Sequence, residues 1–423
     1  MSQLSSLALR LSKLANEMDA YTSDVGIAVP GIPELPAKMA QSRRELLELA
    51  EEIQVLVRDV PHYLEHQQIH YQTFTCLRWL LRFDIFNHVP ENSTPISYGQ
   101  LAAAASVPAA RLRSVVRMAM TSGLFTEAEA GRVAHNPLSL SLAKNESFRD
   151  WAHFMVQYGQ PSAAALAEAT ARWGDSEAIN ETAQNVAFQT DLSYFETMQQ
   201  REGAADEFAR YMKAIQQSSG LCLQQLVKGL DWSERFGERA HIVDVGGSTG
   251  NTSVSLAKAY PAFTFTVQDL PETTDLGPKA LASQPDDIRD RISFMGHDFF
   301  TAQPDMDMTP DVYLLRLIIH DWPREKARII LSHLAAGLKT KAKPGGRIVI
   351  METVLPPPAV IPLLREARLR SRDLTMMENF NSGERELDEW KQLLASTHPK
   401  LQILHRTQPP ESLLDLMVVG LSE

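Results

Sequence analysis

One stretch of the chain constrains its fold more than any other, because a β-branched run leads into clustered glycines and then into a polar helix start. The run is Ile242-Val-Asp-Val245, and the glycines are Gly246, Gly247 and Gly250. β-Branched side chains suit a strand covered on both faces, as strands of parallel sheets are. Glycine permits a sharp turn and close approach of a ligand to the backbone. The stretch predicts a strand, a nucleotide-type loop and a helix, although a turn without a ligand would use the same residues.

Composition and charge exclude several classes of function. The chain has 423 residues, 44% of them hydrophobic, and a net charge of −11. This length indicates two domains plus a terminal extension. The acidic balance disfavours nucleic acid and anionic lipid, which need clustered basic residues, so we expect a small-molecule partner. Cys76 and Cys222 are the only cysteines and lie far apart, which indicates neither a disulfide framework nor a thiolate metal site.

The amino-terminal sequence indicates where the protein resides. It lacks the apolar core of a signal peptide, and no later run approaches the length of a membrane span. We therefore predict a soluble cytoplasmic protein. Leucines at helical spacing and a proline-rich break at residues 29–36 indicate a helical extension and linker over residues 1–60.

Residues 61–150 predict a winged-helix-like domain, with three helices followed by a hairpin. One interpretation is DNA recognition through Arg111, Arg113 and Arg117 on the third helix. The other is a packing or dimerisation module whose basic face is solvated. The acidic net charge favours the second interpretation.

Three histidines, His62, His66 and His70, follow one another at helical spacing, and His62 to His66 matches the H-x-x-E-H pattern of some metallopeptidases. Such short matches arise by chance, and no further ligand motif supports this one. We favour a polar helix face and predict no metal site.

Strand and helix patterns alternate regularly after Gly250, and the second to fifth strands are predicted at residues 263–268, 292–295, 312–319 and 346–351. This alternation predicts an α/β fold with a Rossmann-like, doubly wound parallel sheet over residues 239–423. A short connection between the last two strands predicts a C-terminal antiparallel hairpin. Residues 151–238 are predicted to be connecting helices that line a substrate pocket, with Phe208 and Met212 on one apolar face.

Polar and aromatic residues follow the predicted strands at the edge where ligands bind open α/β sheets. Asp269 follows the second strand and suits the two hydroxyls of a ribose. Asp298 and Phe299 follow the third and offer an acceptor for an exocyclic amine and a plane for a base. These residues indicate adenosine but do not distinguish NAD from S-adenosylmethionine.

The next strands end in a second group of polar residues. His320 lies beyond the fourth strand, Glu352 ends the fifth, and Glu384 lies in a later loop. A carboxylate can accept a hydrogen bond from one imidazole nitrogen and leave the other free to take a proton. The pattern predicts a general base at His320, where the alternative is a structural histidine.

Six motifs in order resemble one family, the S-adenosylmethionine-dependent O-methyltransferases of the plant caffeic-acid type and their fungal secondary-metabolism relatives. The motifs are Val243-Asp-Val-Gly-Gly-Ser-Thr-Gly, Gln268-Asp-Leu-Pro, Gly296-His-Asp-Phe-Phe, His320-Asp-Trp-Pro, Glu352 and Gly383-Glu-Arg. The resemblance extends from about residue 70 to the end. It implies a homodimer formed through the winged-helix domain and a methyltransferase domain over residues 239–423.

The resemblance also implies roles for single residues. His320 would be the base, with Glu352 and Glu384 orienting it, and Arg316 would bind the methionine carboxylate of the cofactor, where plant relatives often have Lys. Ser248 departs from the usual middle glycine of the loop. The other expected cofactor-binding residues are Asp244, Gly246, Gly247, Gly250, Asp269, Leu270, Asp298 and Phe299.

The expected reaction is methyl transfer to a phenolic or enolic hydroxyl of an aromatic or polyketide-derived molecule. Met376, Met377 and Phe380 are expected to shape its pocket. An alternative is a dehydration or pericyclic cyclisation that uses the bound cofactor as a positive charge, since a fold does not determine a reaction. A DNA-binding regulator is the third alternative.

Overall fold

The structure is a computed structural model that describes residues 3–26, 35–216 and 220–422. Most of the predicted proline-rich break at 29–36 lies outside these residues. The chain forms two compact units. The first comprises Met1–Pro161, Arg201–Ala214 and Pro358–Arg368, and the second comprises Ser162–Gln200, Ile215–Pro357 and Leu369–Glu423.

The elements are numbered in chain order. The first are α1 (Gln3–Val25), α2 (Ala37–Val57), α3 (Val60–Arg82), α4 (Ile85–His88), β1 (Ile96–Ser97), α5 (Tyr98–Ala104), α6 (Ala109–Met120), β2 (Thr126–Glu129), β3 (Arg132–Ala134), α7 (Pro137–Lys144), α8 (Glu146–Phe154), a π-helical turn (Met155–Gly159) and α9 (Gln160–Trp173). Next are α10 (Ala183–Phe188), α11 (Tyr194–Gln200), α12 (Ala204–Ile215), α13 (Leu223–Gly229), α14 (Trp232–Phe236), β4 (His241–Val245), α15 (Asn251–Ala259), β5 (Thr264–Asp269), α16 (Pro271–Thr274), α17 (Gly277–Leu281), α18 (Asp286–Arg289) and β6 (Ile292–Gly296). The last are β7 (Val312–Arg316), a 3-10 turn (Ile319–Asp321), α19 (Arg324–Thr340), β8 (Arg347–Glu352), β9 (Val354–Leu355), α20 (Leu363–Phe380), β10 (Arg385–Glu386), α21 (Leu387–Ala395), β11 (Leu401–Thr407) and β12 (Asp415–Leu421).

The first unit has a core formed by α3 to α8 around a small antiparallel sheet of order β1-β3-β2. Ser97 starts α5 through a capping box with Gln100, which satisfies backbone donors at the helix start. The apolar pattern from Cys76 to Phe86 predicts the first of the three helices as one continuous element, which is wrong. Asp84 has a left-handed backbone with φ 51°, which separates α3 from α4.

The second unit is built on a seven-stranded sheet of order β11-β12-β8-β7-β4-β5-β6. Strands β4 to β8 are parallel, and β12 pairs antiparallel with both β8 and β11. The predicted α/β fold with a parallel sheet is confirmed. All five residues of β4 and of β7 are buried. Most of their side chains are apolar, as in parallel strands that are covered on both faces.

Strand β7 is shorter than its sequence predicts. The apolar run from Val312 to Ile319 predicts one strand, but β7 ends at Arg316 and Leu317 takes a left-handed conformation with φ 56°. A short 3-10 turn then carries His320. The apolar run extends beyond β7 because Ile319 is fully buried in the hydrophobic core. Such burial does not require that the residue belong to a strand.

No helix among residues 3–26, 35–216 and 220–422 combines the length and the apolar character needed to cross a membrane.

Candidate active site

The glycine loop between β4 and α15 is sterically restricted. Gly246 has φ 71°, and a Cβ atom there would lie 2.6 Å from Cδ1 of Ile318. At Gly247 a Cβ atom would lie 2.6 Å from Cγ of Asp244. Gly250 has φ 83° and caps α15. The loop therefore packs against the His320 turn through Ile318.

Asp244 braces the loop from inside the protein. Its Oδ2 accepts a hydrogen bond of 2.7 Å from the Ser253 hydroxyl, and its side chain lies under Gly247. Burial raises the pKa of Asp244 to about 6, although the Ser253 hydrogen bond and the charge of Arg316 oppose this rise. The carboxylate thus contacts the loop that is expected to bind the cofactor.

Asp269, at the end of β5, closes the other side of the loop. Its Oδ2 accepts from the backbone N–H of Ser248 at 2.9 Å, and its Oδ1 accepts from that of Leu270 at 2.8 Å. Burial raises the pKa of Asp269. Ser248 occupies the left-handed region with φ 52°, which explains why glycine suits this position.

Phe299 lies against the loop, and Asp298 is exposed beside it. The nearest atom of the Phe299 ring would be 3.7 Å from a Cβ atom on Gly246. Asp298 Oδ1 accepts from the Phe300 backbone N–H at 2.9 Å. The structure therefore brings Phe299 and the glycine loop together, as expected for an adenine site.

Arg316, the last residue of β7, is 8% exposed. Its Nη2 donates to the carbonyl oxygen of Leu221 at 2.5 Å, while its buried Nε has no hydrogen-bond partner among the residues that the structure describes. Burial lowers the pKa of Arg316 to about 10, which still leaves it charged at neutral pH. A buried donor without an acceptor is costly, and a ligand carboxylate would satisfy it. This donor fits the carboxylate of S-adenosylmethionine, just as Asp269 fits its ribose.

The second group of residues lies around His320, which is 5% exposed. Nδ1 of His320 lies 3.0 Å from Glu384 Oε1 and 3.8 Å from Glu352 Oε2. Its Nε2 lies 3.5 Å from Asp321 Oδ1. The structure therefore unites the three residues predicted to be catalytic and adds a third carboxylate on the other ring nitrogen.

The two glutamates contact the His320 turn differently. Glu384 makes the short contact to the imidazole and lies 3.3 Å from Nη2 of Arg372. Glu352 Oε1 instead accepts from the backbone N–H groups of Ile318 and Ile319 at 2.8 and 2.7 Å. Glu384 thus contacts the ring directly, whereas Glu352 contacts the backbone before and within the turn.

The carboxylates control the protonation of His320. Burial by itself lowers the pKa of His320, but the negative charges of Glu352, Glu384 and Asp321 outweigh it and raise the pKa to about 9. Burial raises the pKa of Asp321 to about 7. Burial also acts to raise the pKa of Glu384. The positive charges of His320 and Arg372 outweigh burial, however, and lower this pKa to about 2.

These side chains can also be considered as metal ligands. In the described part of the chain, His320, Glu352 and Glu384 are the one group of three such side chains whose ligand atoms lie within 4.8 Å of one another. The 3.0 Å contact between His320 and Glu384 is that of a direct hydrogen bond. The absence of a metal remains a prediction.

The expected pocket residues fall in both units. Met376 and Phe380 of α20 are buried in the second unit, where the Phe380 ring lies 4.8 Å from that of Tyr194. Met377 is 41% exposed. Phe208 and Met212 lie on α12 in the first unit.

Sequence reasoning did not include three charged residues around His320 among the expected site residues, although two of them, Asp321 and Arg385, lie in the motifs that carry the resemblance. Asp321 adjoins it in the sequence, so the signal was present. Arg372 and Arg385 lie on later elements, and Arg385 donates to the backbone carbonyls of Ile319 and Trp322, one within the turn and one directly after it. No spacing rule connects either arginine with His320.

Comparison with known proteins identifies the family. Residues 176–398 match the model of the O-methyltransferase domain. The chain is 43% identical over 412 residues to the O-methyltransferase pgmB of Aspergillus terreus, covering 96% of this chain and 91% of that protein. It is 40% identical over 389 residues to the O-methyltransferase VdtC of Byssochlamys spectabilis, covering 92% and 88%.

A solved structure shares the fold. The crystal structure of OxaC matches with a TM-score of 0.75 at 17% identity, over 98% of this chain and 100% of that one. At this identity the match supports the fold alone. From its sequence relatives and its domain match, the chain belongs to the S-adenosylmethionine-dependent O-methyltransferases of fungal secondary metabolism.

Proposed function

We propose that His320 is the general base of methyl transfer to a phenolic or enolic hydroxyl of a secondary metabolite. The observation that carries this proposal is the contact of His320 Nδ1 with Glu384, which leaves Nε2 as the nitrogen that can take a proton. The bound S-adenosylmethionine supplies a methyl group that its positive sulfur already activates. Deprotonation and positioning are then the tasks of the protein.

The proton and electron balance defines the step. The acceptor hydroxyl gives its proton to His320 Nε2 while its oxygen forms a bond to the methyl carbon, and the bond from that carbon to sulfur breaks. The imidazolium is stabilised by Glu384 and Glu352. A phenol, with a pKa of about 10, matches a base whose pKa lies near 9 much better than an ordinary alcohol does.

The glycine loop and its neighbours are proposed to hold the cofactor. Asp269 would bind the ribose hydroxyls, Phe299 and Asp298 would contact adenine, and Arg316 would bind the methionine carboxylate through its buried Nε, which has no partner in the described part of the chain. Leu270 follows Asp269 at the same edge. Met376 and Phe380, buried beside an aromatic cluster, are proposed to shape the acceptor pocket, while Phe208 and Met212 remain predictions.

The test compares the wild-type enzyme with His320→Ala and His320→Gln. Labelled S-adenosylmethionine is incubated with host extract and with a panel of phenols, naphthols and hydroxyanthraquinones. We expect both variants to bind the cofactor with wild-type affinity and to lose methyl transfer by roughly 100-fold or more. Wild-type turnover in either variant would refute the proposed base.

A second candidate reaction is favoured by the three carboxylates that lie within 4.0 Å of the ring nitrogens of buried His320. They raise its pKa to about 9, which favours the protonated imidazole at neutral pH, so His320 can also act as an acid on a departing hydroxyl. This supports dehydration, with pericyclic cyclisation as a related outcome. Product mass separates the alternatives, because methyl transfer adds about 14 Da and dehydration removes about 18 Da, whereas cyclisation alone leaves the mass unchanged.

We propose that residues 61–150 serve dimerisation rather than DNA recognition. On α6, Arg117 is paired with Glu127 through contacts of 2.9 and 2.7 Å, which removes one of the three arginines from phosphate binding. On α3, Val60, Leu64 and Tyr71 are at least half exposed and lie at helical spacing. Light scattering is expected to show a dimer, and filter binding to show no duplex DNA retention.

A further inference from the structure

The short turn that carries His320 depends on contacts from outside itself. It consists of three residues, Ile319–Asp321, and so contains few hydrogen bonds of its own. Glu352 contacts the amino end of the turn by accepting hydrogen bonds from the N–H groups of Ile318 and Ile319. The Ile319 carbonyl oxygen accepts from the Trp322 N–H at 3.2 Å, which leaves one of its two lone pairs for a second partner.

Arg385 supplies that partner. Its Nη1 donates to the carbonyl oxygen of Ile319 at 3.1 Å, and its Nη2 donates to that of Trp322 at 2.8 Å. These two carbonyls lie on either side of His320. A planar guanidinium fork holds two acceptors at a fixed separation, which a lysine ammonium does not.

The fork of Arg385 is itself fixed by packing. Its guanidinium lies over the ring of Trp390, 5.5 Å from the centroid, and that side chain is 1% exposed. The backbone of Arg385 pairs with Val354 in the parallel contact of β10 with β9. Arg385 also follows Glu384 directly in the sequence. Of these two neighbours, Arg385 contacts the backbone around His320 and Glu384 contacts its imidazole.

We infer that Arg385 is a positioning residue for methyl transfer. By holding the carbonyls on both sides of His320, it keeps Nδ1 bonded to Glu384 and directs Nε2 toward the acceptor. This inference rests on the proposed function of His320 as the base. A misplacement of about 1 Å at a reacting group can reduce the rate about 100-fold.

The chain offers a matched control in Arg291. This arginine also donates from its guanidinium to backbone carbonyls, but it does so near the amino ends of β5 and β6, away from the carboxyl ends where the site lies. The carbonyl groups that it contacts belong to Ala257, Tyr260 and Phe263.

The experiment compares Arg385→Lys, Arg385→Ala and Arg291→Lys in the full chain, using the acceptor with the highest turnover in the phenol panel. We expect Arg385→Lys to lower kcat about 10- to 100-fold with little change in KM for S-adenosylmethionine. Added guanidinium chloride is expected to restore part of the activity of Arg385→Ala. Arg291→Lys is expected to retain kcat and only lower Tm.

A second readout needs no acceptor. In ¹⁵N-histidine NMR with S-adenosylmethionine alone, the Nδ1 proton of His320, assigned through His320→Gln, should lose its strong hydrogen-bond shift in Arg385→Lys. Wild-type kcat together with an unchanged Nδ1 signal in Arg385→Lys would overturn the inference, even if Arg385→Ala did not fold.

The two proposals fail in different ways. An active His320→Ala enzyme would refute the proposed base but leave the NMR test of Arg385 intact. An inactive His320→Ala enzyme beside an Arg385→Lys enzyme with wild-type kcat and an unchanged Nδ1 signal would refute only the positioning role.

Discussion

Glu384 and His320 lie 64 residues apart in the sequence, and their side chains meet at 3.0 Å between Oε1 and Nδ1. When the imidazole is neutral and Nδ1–H donates to Glu384, the nitrogen that can accept a proton is Nε2, which lies 3.5 Å from Asp321 Oδ1. The tautomer and the direction of the imidazole therefore depend on a loop that follows α20.

Replacing Glu352 by Gln separates the charge of this side chain from its hydrogen bonds. Gln keeps an oxygen for the Ile318 and Ile319 N–H groups but removes a negative charge that helps to raise the pKa of buried His320 to about 9. A base acts when neutral, so wild-type activity rises as pH increases toward that pKa. We expect the acidic limb of kcat/KM to move down by about one pH unit. The control Glu325→Gln, which removes an exposed ion pair with Arg328, should leave the pH profile of kcat/KM unchanged. If the acidic limb of this profile did not move in Glu352→Gln, the electrostatic role of Glu352 would be contradicted.

Gly247→Ala tests the packing of the cofactor loop. Its Cβ atom would lie 2.6 Å from Cγ of Asp244 and 2.8 Å from Cγ1 of Val267, so the loop must shift. We expect cofactor affinity, measured by calorimetry, to fall at least about 10-fold, which corresponds to about 1.4 kcal/mol. Gly99→Ala, in open space on α5, should bind normally and be slightly more stable. Unchanged affinity in Gly247→Ala would show that the loop tolerates the methyl group.

Ser248→Gly is expected to stabilise the protein. Ser248 has φ 52°, a conformation that costs a residue with a side chain about 1 kcal/mol relative to glycine. The backbone N–H that donates to Asp269 is retained. Denaturant unfolding should show a rise of up to about 1 kcal/mol, reduced by the greater freedom of glycine in the unfolded chain. A clear loss of stability would mean that the Ser248 side chain contributes contacts beyond this backbone bond.

Chelation tests the predicted absence of a metal. The ligand atoms of His320, Glu352 and Glu384 lie within 4.8 Å of one another, close enough to hold an ion. Because His320 and Glu384 contact each other directly, we expect dialysis against EDTA to leave kcat and cofactor affinity unchanged. Activity lost on dialysis and restored by a divalent cation would assign this cluster to a metal.

Local patterns in the sequence determined much of the second unit. Apolar runs such as Ile242 to Val245, each followed by glycine or a polar residue, predict parallel strands and place their carboxyl ends at one edge. Asp269, Phe299, His320 and the glycine loop were predicted at that edge, because a strand end is a local feature that neighbouring residues encode.

Only the tertiary structure determined which contacts each of these residues makes. It ends β7 at Arg316, places His320 on a separate turn, and assigns Glu352 to the backbone and Glu384 to the imidazole. It also brings Arg385 onto the same turn. Such contacts join residues far apart in the chain and depend on packing geometry and burial, which local periodicity and residue type do not encode.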